Sequence, residues 1–388
     1  MITPLPLEFK KMLDNLLGPE AEQLIQALDQ QPVTSVRLNV RKPVAKFNNA
    51  TPVPWCPSGL YLPARPEFIL DPLLHAGAYY VQDASSMIHE EVVSRILSEL
   101  KSQNETVNNL QVLDLCAAPG GKTTAMINAL PDGSFVTANE YTQKRVGALK
   151  ENLDRWGYPL ITITNKDSSF FALQGEQFDI IAVDAPCSGE GMMRKEEMAR
   201  KQWSHDLISQ CASLQKEIII NAEKALKPGG YLIYSTCTFN RMENEENAEF
   251  ISKELNLESV DLKFPAEWNI PSGIDTGLNV YRFMPHKTKG EGLFLAVFKK
   301  PGAWEPSKTS SRRYNPELKR EGTTTYPKIE VEKEKALSYL RGESIVLPPE
   351  TPKGMVTITY MGLPLGEAKN IGTRANNHYP KQRRILKR

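Results

Sequence analysis

The sequence predicts an α/β protein built on a parallel sheet, and three observations lead to it. From Leu110 onward, short apolar runs of strand length alternate with longer stretches of helical spacing, the pattern of a parallel sheet with helices on both faces. Two of those runs, Phe178–Asp184 and Gly230–Thr236, are followed by cysteines, Cys187 and Cys237. A third, ending at Cys116, leads into a glycine pair, Gly120-Gly121, and then a helical stretch. Such a turn lets backbone approach a ligand closely and opens onto the free N–H groups of a helix start. Open α/β sheets bind ligands beyond the carboxyl ends of their strands. If the two cysteine strands are neighbours, both thiols and Asp184 share one cleft.

The 388 residues suffice for two or three domains. With 40% hydrophobic and 24% charged residues, most of the chain should fold. The start, Met1-Ile2-Thr3-Pro4-Leu5, lacks the basic region and apolar run of a signal peptide. No apolar run reaches about 18 residues, so no membrane span is expected. Five cysteines, with no C-x-x-C pair and no zinc-like Cys/His spacing, suggest a reduced, cytoplasmic protein without a metal. The net charge of +1 conceals an asymmetry: residues 301–388 hold 17 basic and 9 acidic side chains, the remainder 30 and 37. The basic tail suits a polyanion, although a merely solvated face reads the same way.

In order, residues 1–30 read as two amphipathic helices broken at Gly18-Pro19. Ser35–Arg41 alternates as a strand, and the proline-rich 50–75 stretch reads as turns and short strands. Ser85-Ser86 is a plausible cap for a helix over 87–100, and 101–109 a polar linker. Strands follow at 111–116, 134–140, 160–165, 178–184 and 230–237, the last after a tight turn at Lys227-Pro228-Gly229-Gly230. Helices fall at 121–130, 142–156, 205–227 and 241–254. Arg282–Met284 and Leu293–Phe298 suit a closing hairpin. A second linker spans 300–327, a helix 330–340 and a strand 356–360.

The segment Asp114-Leu115-Cys116-Ala117-Ala118-Pro119-Gly120-Gly121-Lys122 is neither the dinucleotide glycine pattern nor the phosphate loop, whose first glycine would have to be Cys116. Glu140 ends the second strand about twenty residues past the glycines, where nucleotide-binding folds often carry a ribose-binding acid. Asp167 closes the third strand and could face an adenine, although a turn aspartate is the simpler reading. Jointly they suggest an adenosine-containing cofactor. Cys187 and Cys237, each alone, could be small buried hydrophobes, as Cys56 and Cys211 are expected to be. Two thiols ending strands of one design argue for chemistry. A thiolate adding to carbon-6 of a pyrimidine makes carbon-5 nucleophilic. Asp184 could stabilise the charge that appears on addition.

The stretches Asp114–Lys122, Asp184–Gly191 and Tyr234–Asn247 closely resemble the RNA cytosine-5 methyltransferases of the Nol/Nop/Sun group, bacterial RsmB/RsmF type. The resemblance runs from about Ser35 to the C-terminus. It implies a Rossmann-like class I methyltransferase sheet over 106–302 and a small α+β RNA-binding domain over 1–105. After a linker at 303–327 it implies a basic PUA-like RNA-binding region over 328–388, to which Gly362–Gly366 and Asn377–Pro380 are similar. The implied cofactor is S-adenosylmethionine, lined by Cys116, Ala117, Ala118, Pro119, Gly120, Gly121 and Lys122. Glu140 would hold its ribose, Asp167 its adenine, and Asp184 would lie between cofactor and target base. The resemblance makes Cys237 the nucleophile and assigns Cys187 to product release, a choice that the residues alone leave open. The expected partner is RNA, ribosomal and of the small subunit, acted on by a monomer. Transfer RNA is the alternative substrate. An amino-group methyltransferase and a non-catalytic RNA-binding ribosome assembly factor are the rival readings.

Overall fold

Phe9, Leu13, Leu24 and Leu28 line one face of α1 (Leu7–Leu17) and α2 (Ala21–Leu28), which part where Gly18 turns the chain at φ 54°. That face packs on Met193, Trp203 and Phe239, so the first helices brace the loops that follow both cysteine strands. This computed structural model describes residues 3–104, 107–306 and 326–387. An antiparallel sheet comes next: β1 (Ser35–Leu38), β2 (Thr51–Val53), β3 (Cys56–Tyr61) and β4 (Tyr79–Val81), in the order β2-β3-β1-β4, with the short α3 (Pro72–His75) before β4. The expected Ser85-Ser86 cap does not form. Ser86 Oγ donates to the Asp83 carbonyl at 3.0 Å, residues 85–87 make one 3₁₀ turn, and α4 (Ile88–Gln103) starts without a side-chain cap.

The central sheet comprises β5 (Gln111–Asp114), β6 (Phe135–Asn139), β7 (Ile161–Thr164), β8 (Phe178–Asp184), β9 (Leu226–Thr236), β10 (Glu258–Ser259), β11 (Val280–Phe283) and β12 (Leu293–Lys299). Its order is β10-β12-β9-β8-β5-β6-β7, with β11 also on β12; β5 to β9 are parallel and β12 runs antiparallel to β9. The cysteine strands β8 and β9 are therefore neighbours. Strand alternation divides the core between two faces. Val112, Ile180, Tyr231 and Ile233 point to the side covered by Val92, Val93 and Ile96 of α4. Leu113, Ile181, Val183 and Leu232 point to the side covered by Ile219 and Ala222 of α9 (His205–Ala225) and Ile251 of α10 (Glu245–Lys253). Each such residue is fully buried and stabilises the sheet by about 1.5–3 kcal/mol. Between strands lie α5 (Gly121–Ala129), α6 (Gln143–Trp156), α7 (Ser168–Ala172) and α8 (Glu197–Gln202).

Four expectations need correction. Lys227–Gly230 is not a turn before the strand but a bulge within it, bent at Gly229 (φ 71°). The helix expected from 241 starts at Glu245, because 238–244 fold into the site described below. The helix expected over 205–227 ends at Ala225, where Leu226 already pairs with Phe178. The helix expected over 330–340 starts at Lys333; β13 (Lys328–Glu330) instead pairs in parallel with β14 (Gly354–Tyr360). With β15 (Leu363–Asn370) and β16 (Ala375–Asn377) these form a third sheet, of four strands, packed with α11 (Lys333–Leu340) around Tyr339, Ile358 and Ala368. Residues 307–325 of the expected linker lie outside the described residues. No helix among the described residues is long and apolar enough to cross a membrane.

Candidate active site

All the strands that carry candidate residues run in one direction, so their carboxyl ends open on one edge of the sheet. After β5 the chain turns through Cys116–Gly120 into α5. Gly120 has φ 105°, which a side chain rarely adopts, and a Cβ on Gly121 would lie 3.3 Å from the Tyr80 ring. Neighbours hold the turn: Ala117 N donates to Asn139 O at 2.7 Å, Arg145 to Ala118 O at 2.6 Å and Asn152 to Pro119 O at 2.9 Å. Arg37, fully buried on β1, donates to Thr124 O at 3.0 Å and to Gly121 O at 3.3 Å. The N-terminal sheet is thereby fastened to the glycine turn. Burial lowers the Arg37 guanidinium only to about 10, so it stays charged at neutral pH.

The two thiols meet. Cys187 Sγ lies 3.1 Å from Cys237 Sγ and 3.4 Å from the Cys237 backbone N–H, which donates to it. Its hydrogen bond to Cys237, then burial, push the Cys187 thiol well up. Two sulfurs this close do not both ionise. The loops carrying them are tied by buried carboxylates that sequence reasoning missed. Glu243 accepts from Ser188 N at 3.0 Å, from Ser188 Oγ, from Gln215 Nε2 at 2.7 Å and from Asn240 Nδ2 at 2.7 Å. Glu190 accepts from Phe239 N at 2.7 Å, Asn240 N at 2.9 Å and Trp203 Nε1 at 2.9 Å. Burial pushes the Glu243 carboxyl up, against the pull of Ser188 and Asn240. The signal available in the sequence was the acidic run 243–246, which reads equally well as a solvated helix start.

Asp184 pairs with Lys122 at 2.6 Å and accepts from Ser235 Oγ at 3.0 Å. Burial alone would lower the Lys122 ammonium. The charge and hydrogen bond of Asp184, with both thiols nearby, outweigh burial and raise it. Asp114, behind the turn, accepts from Thr123 Oγ1 at 2.6 Å, and burial pushes its carboxyl up to about 7. Burial, then the charges of Asp114 and Asp184, push the Cys116 thiol up. Glu140 is buried at the end of β6, accepting from Thr142 N at 2.8 Å and pairing with Arg145 at 3.3 Å. Asp167 follows the end of β7. It is exposed and caps the short α7, accepting from Ser169 N at 2.9 Å. Cys56 is buried beside Ser58 and Glu90, and Cys211 lies within α9. Among the described residues no three His, Cys, Asp or Glu side chains converge as a metal site.

Residues 99–299 match the family model for 16S rRNA methyltransferase RsmB/F. Residues 5–84 match that for the N-terminal domain of 16S rRNA methyltransferase RsmF, and residues 326–385 that for the methyltransferase RsmF PUA domain. The chain is 33% identical to the ribosomal RNA small subunit methyltransferase F of Cronobacter sakazakii, over 92% of this chain and 78% of that protein. It is 34% identical to the protein of the same name from Pectobacterium atrosepticum, over 78% of this chain and 64% of that one. Among solved structures, a methyltransferase homologue from Pyrococcus horikoshii superposes with TM-score 0.63 at 26% identity, covering 76% of this chain and 94% of the other. NSun6 from the same organism, solved with SFG, shares the fold at TM-score 0.63 and 22% identity, over 77% and 99% of the two chains.

Proposed function

This chain belongs to the 16S rRNA methyltransferase RsmB/F family, and on that premise we propose that it methylates carbon-5 of a cytosine in small-subunit ribosomal RNA through a covalent Cys237 adduct. The observation that carries the reading is the thiol pair, 3.1 Å apart, on the same sheet edge as the Lys122–Asp184 pair.

The sheet edge fits S-adenosylmethionine as the methyl donor. The Cys116–Lys122 turn presents backbone and two glycines, whose vacant Cβ positions face Leu149 and Tyr80. Among the described residues a buried oxygen of Asp114 has no hydrogen-bond partner, and Glu140 is held at the neighbouring strand end. Cys116–Lys122 and Glu140 would hold the donor, with Asp167 reaching it from its exposed turn. When bound, that cofactor supplies an electrophilic methyl sulfonium.

The protein's own groups do the rest. Cys237 adds to carbon-6 of the cytosine, forming the sulfur–carbon bond and making carbon-5 electron-rich. A free thiol is only a few per cent ionised near pH 7, so its surroundings must help. Cys187, with its sulfur 3.1 Å away, can donate its S–H to Cys237, and the Lys122 ammonium stands nearby. Asp184, held by Lys122 and Ser235, faces the target base and stabilises charge on its ring nitrogen and exocyclic amine. After methylation a base takes the carbon-5 proton, the freed electron pair restores the carbon-5–carbon-6 double bond, and the carbon-6–sulfur bond breaks with its electrons leaving on Cys237, a departure that Cys187 assists. A base in a duplex cannot reach such a cleft, so the target nucleotide must be unstacked. The N-terminal sheet and the basic C-terminal sheet, which pack together through Leu70 and Ala76, supply RNA-binding surface. We place the protein in the cytoplasm, acting as a monomer.

The test uses radiolabelled S-adenosylmethionine and ribosomal RNA from a strain lacking the gene. Cys237→Ala should abolish transfer, and Cys187→Ala should accumulate a covalent RNA adduct on denaturing gels. Full methyl transfer by Cys237→Ala would overturn the mechanism, and absence of a gel-stable adduct with Cys187→Ala would remove the release role.

A further inference from the structure

A histidine outside the matched motifs reaches this site from the far side of the sheet edge. His89, on the first turn of α4, is buried, with Nε2 3.3 Å from Ser235 Oγ and Nδ1 3.1 Å from the Ser86 carbonyl. Ser235 is the last residue but one of β9 and lies opposite Asp184 in the β8–β9 ladder. Its hydroxyl donates to Asp184 Oδ1 at 3.0 Å, while Lys122 holds Oδ2. A line of polar contacts thus runs Ser86–His89–Ser235–Asp184–Lys122.

Donor and acceptor counting fixes how the line works. A backbone carbonyl only accepts, so Nδ1 of a neutral His89 must carry the proton toward Ser86 O. Nε2 is then an acceptor. Burial first, and Lys122 second, hold this imidazole low, at about 3, so it is neutral at working pH. Ser235 has one proton and two acceptors for it, Asp184 Oδ1 and His89 Nε2. With Asp184 ionised, the serine proton lies on Asp184. When Asp184 holds the proton that it exchanges with N3 of the target base, its O–H donates to Ser235 Oγ, and the serine turns its own proton onto His89 Nε2. Ser235 and His89 each keep one proton throughout, only Asp184 gains or gives one up, and the carboxyl group keeps both its anchors in both states.

We propose that His89 is a positioning residue for methyl transfer: it provides the alternative acceptor for the Ser235 hydroxyl and so keeps Asp184 in one orientation toward the target base in both protonation states. This rests on the catalytic reading of Asp184 and Cys237 given above. Without His89, protonating Asp184 would leave the serine proton unpaired in a buried site, and the carboxyl group would lose its second anchor in the state that the reaction passes through.

Two amides of different reach test the idea. In His89→Asn the amide occupies the place of Nδ1, keeping the bond to Ser86 and leaving Ser235 alone. In His89→Gln the amide reaches the place of Nε2 and restores the acceptor. With undermethylated ribosomal RNA and S-adenosylmethionine, His89→Asn should lower kcat about tenfold, the factor that one buried hydrogen bond contributes. KM for both substrates should stay within about twofold, because uniform binding is untouched, and His89→Gln should recover to within about threefold of the parent. Ser235→Ala should cost a similar factor, and adding His89→Asn to it should cost nothing more. Thermal unfolding of each variant confirms that it is folded; if His89→Asn is not, the Gln variant with and without Ser235→Ala completes the cycle. Multiplicative losses in the double variant, a Gln variant no better than Asn, or a loss confined to KM would overturn the proposal. Full activity of Cys237→Ala would instead overturn the underlying reading, so the two failures are separable.

Discussion

Glu243→Ala should loosen the thiol pair without touching either cysteine, and its cost follows from the donors around it. Four donors converge on this carboxylate: Ser188 N, Ser188 Oγ, Gln215 Nε2 and Asn240 Nδ2. Three keep another partner after truncation. Ser188 Oγ retains Thr238 Oγ1 at 2.8 Å, Gln215 Nε2 retains Pro186 O at 2.8 Å, and Asn240 Nδ2 retains Glu190 Oε1 at 3.1 Å. The Ser188 N–H keeps no other hydrogen bond among the described residues. One orphaned N–H costs about 1–3 kcal/mol, and the charge-assisted bonds that are lost cost about as much again. Burial pushes the Glu243 carboxyl up, so removing it relieves part of that loss. The net cost is about 2–4 kcal/mol. Urea unfolding reads this as a lower midpoint at unchanged slope. The Cys187 and Cys237 loops should then drift apart, slowing adduct formation about as much as unfolding is eased. Glu243→Gln, which keeps the volume and one oxygen, should cost less. A Glu243→Ala variant within about 0.5 kcal/mol of the parent, with unchanged adduct kinetics, would refute this account of what holds the thiols together.

Three further expectations rest on equally local geometry. Arg282 and Glu245 form a fully buried pair, with Nε–Oε1 2.6 Å, so Arg282→Met should cost about 3–5 kcal/mol by urea unfolding, and a second change, Glu245→Met, should recover at least half. A Cβ on Gly191 would lie 2.7 Å from Gly292 O and 3.0 Å from Cys237 O; both are backbone, so Gly191→Ala should cost about 1–3 kcal/mol and slow single-turnover methyl transfer. Asp114 is raised in the folded protein from 3.8 to about 7, so its stabilising proton is lost as pH rises through that range. Asp114→Asn should therefore gain up to about 4 kcal/mol on the parent between pH 4 and pH 8; a difference in thermal unfolding that does not change with pH would refute it.

The strands and long helices were legible because periodicity is a local property: Phe178–Asp184 and the 142–156 helix stand where their apolar spacing put them. Helices α7 and α8, of five and six residues, are shorter than the window over which helical spacing can be recognised. In the C-terminal sheet, β15 has Pro364 and Gly366 in its first half, which read as a turn, and it bonds across a register shift at Ile358/Thr359. The candidate site was legible as a set of residue types at strand ends. Its supports were not. Arg37 reaches the glycine turn across 84 residues of sequence, and His89 reaches Ser235 across 146. Nothing local distinguishes such side chains from ordinary polar residues. Asp167 stands after β7, where the sequence put it, and its exposed carboxylate also caps α7.

The geometry of the thiol pair depends on the bulge in β9. At the start of the β8–β9 ladder Phe178 pairs with Leu226, an offset of 48; from Ile180 opposite Tyr231 onward the offset is 51. Lys227–Gly230 absorbs the difference, with Gly229 at φ 71° pressed against the Trp304 backbone. Without the bulge, Asp184 would face Leu232 rather than Ser235. A shift by an odd number of residues also exchanges the two faces of a strand. Leu232 and Tyr234, which now pack against α9, would then turn toward α4, and Cys237 would leave the sheet beyond the reach of Cys187. The Lys-Pro-Gly-Gly segment, remote from the reacting groups, therefore fixes three relations at once: the Asp184–Ser235 bond, the partition of the core between the two faces, and the separation of the thiols.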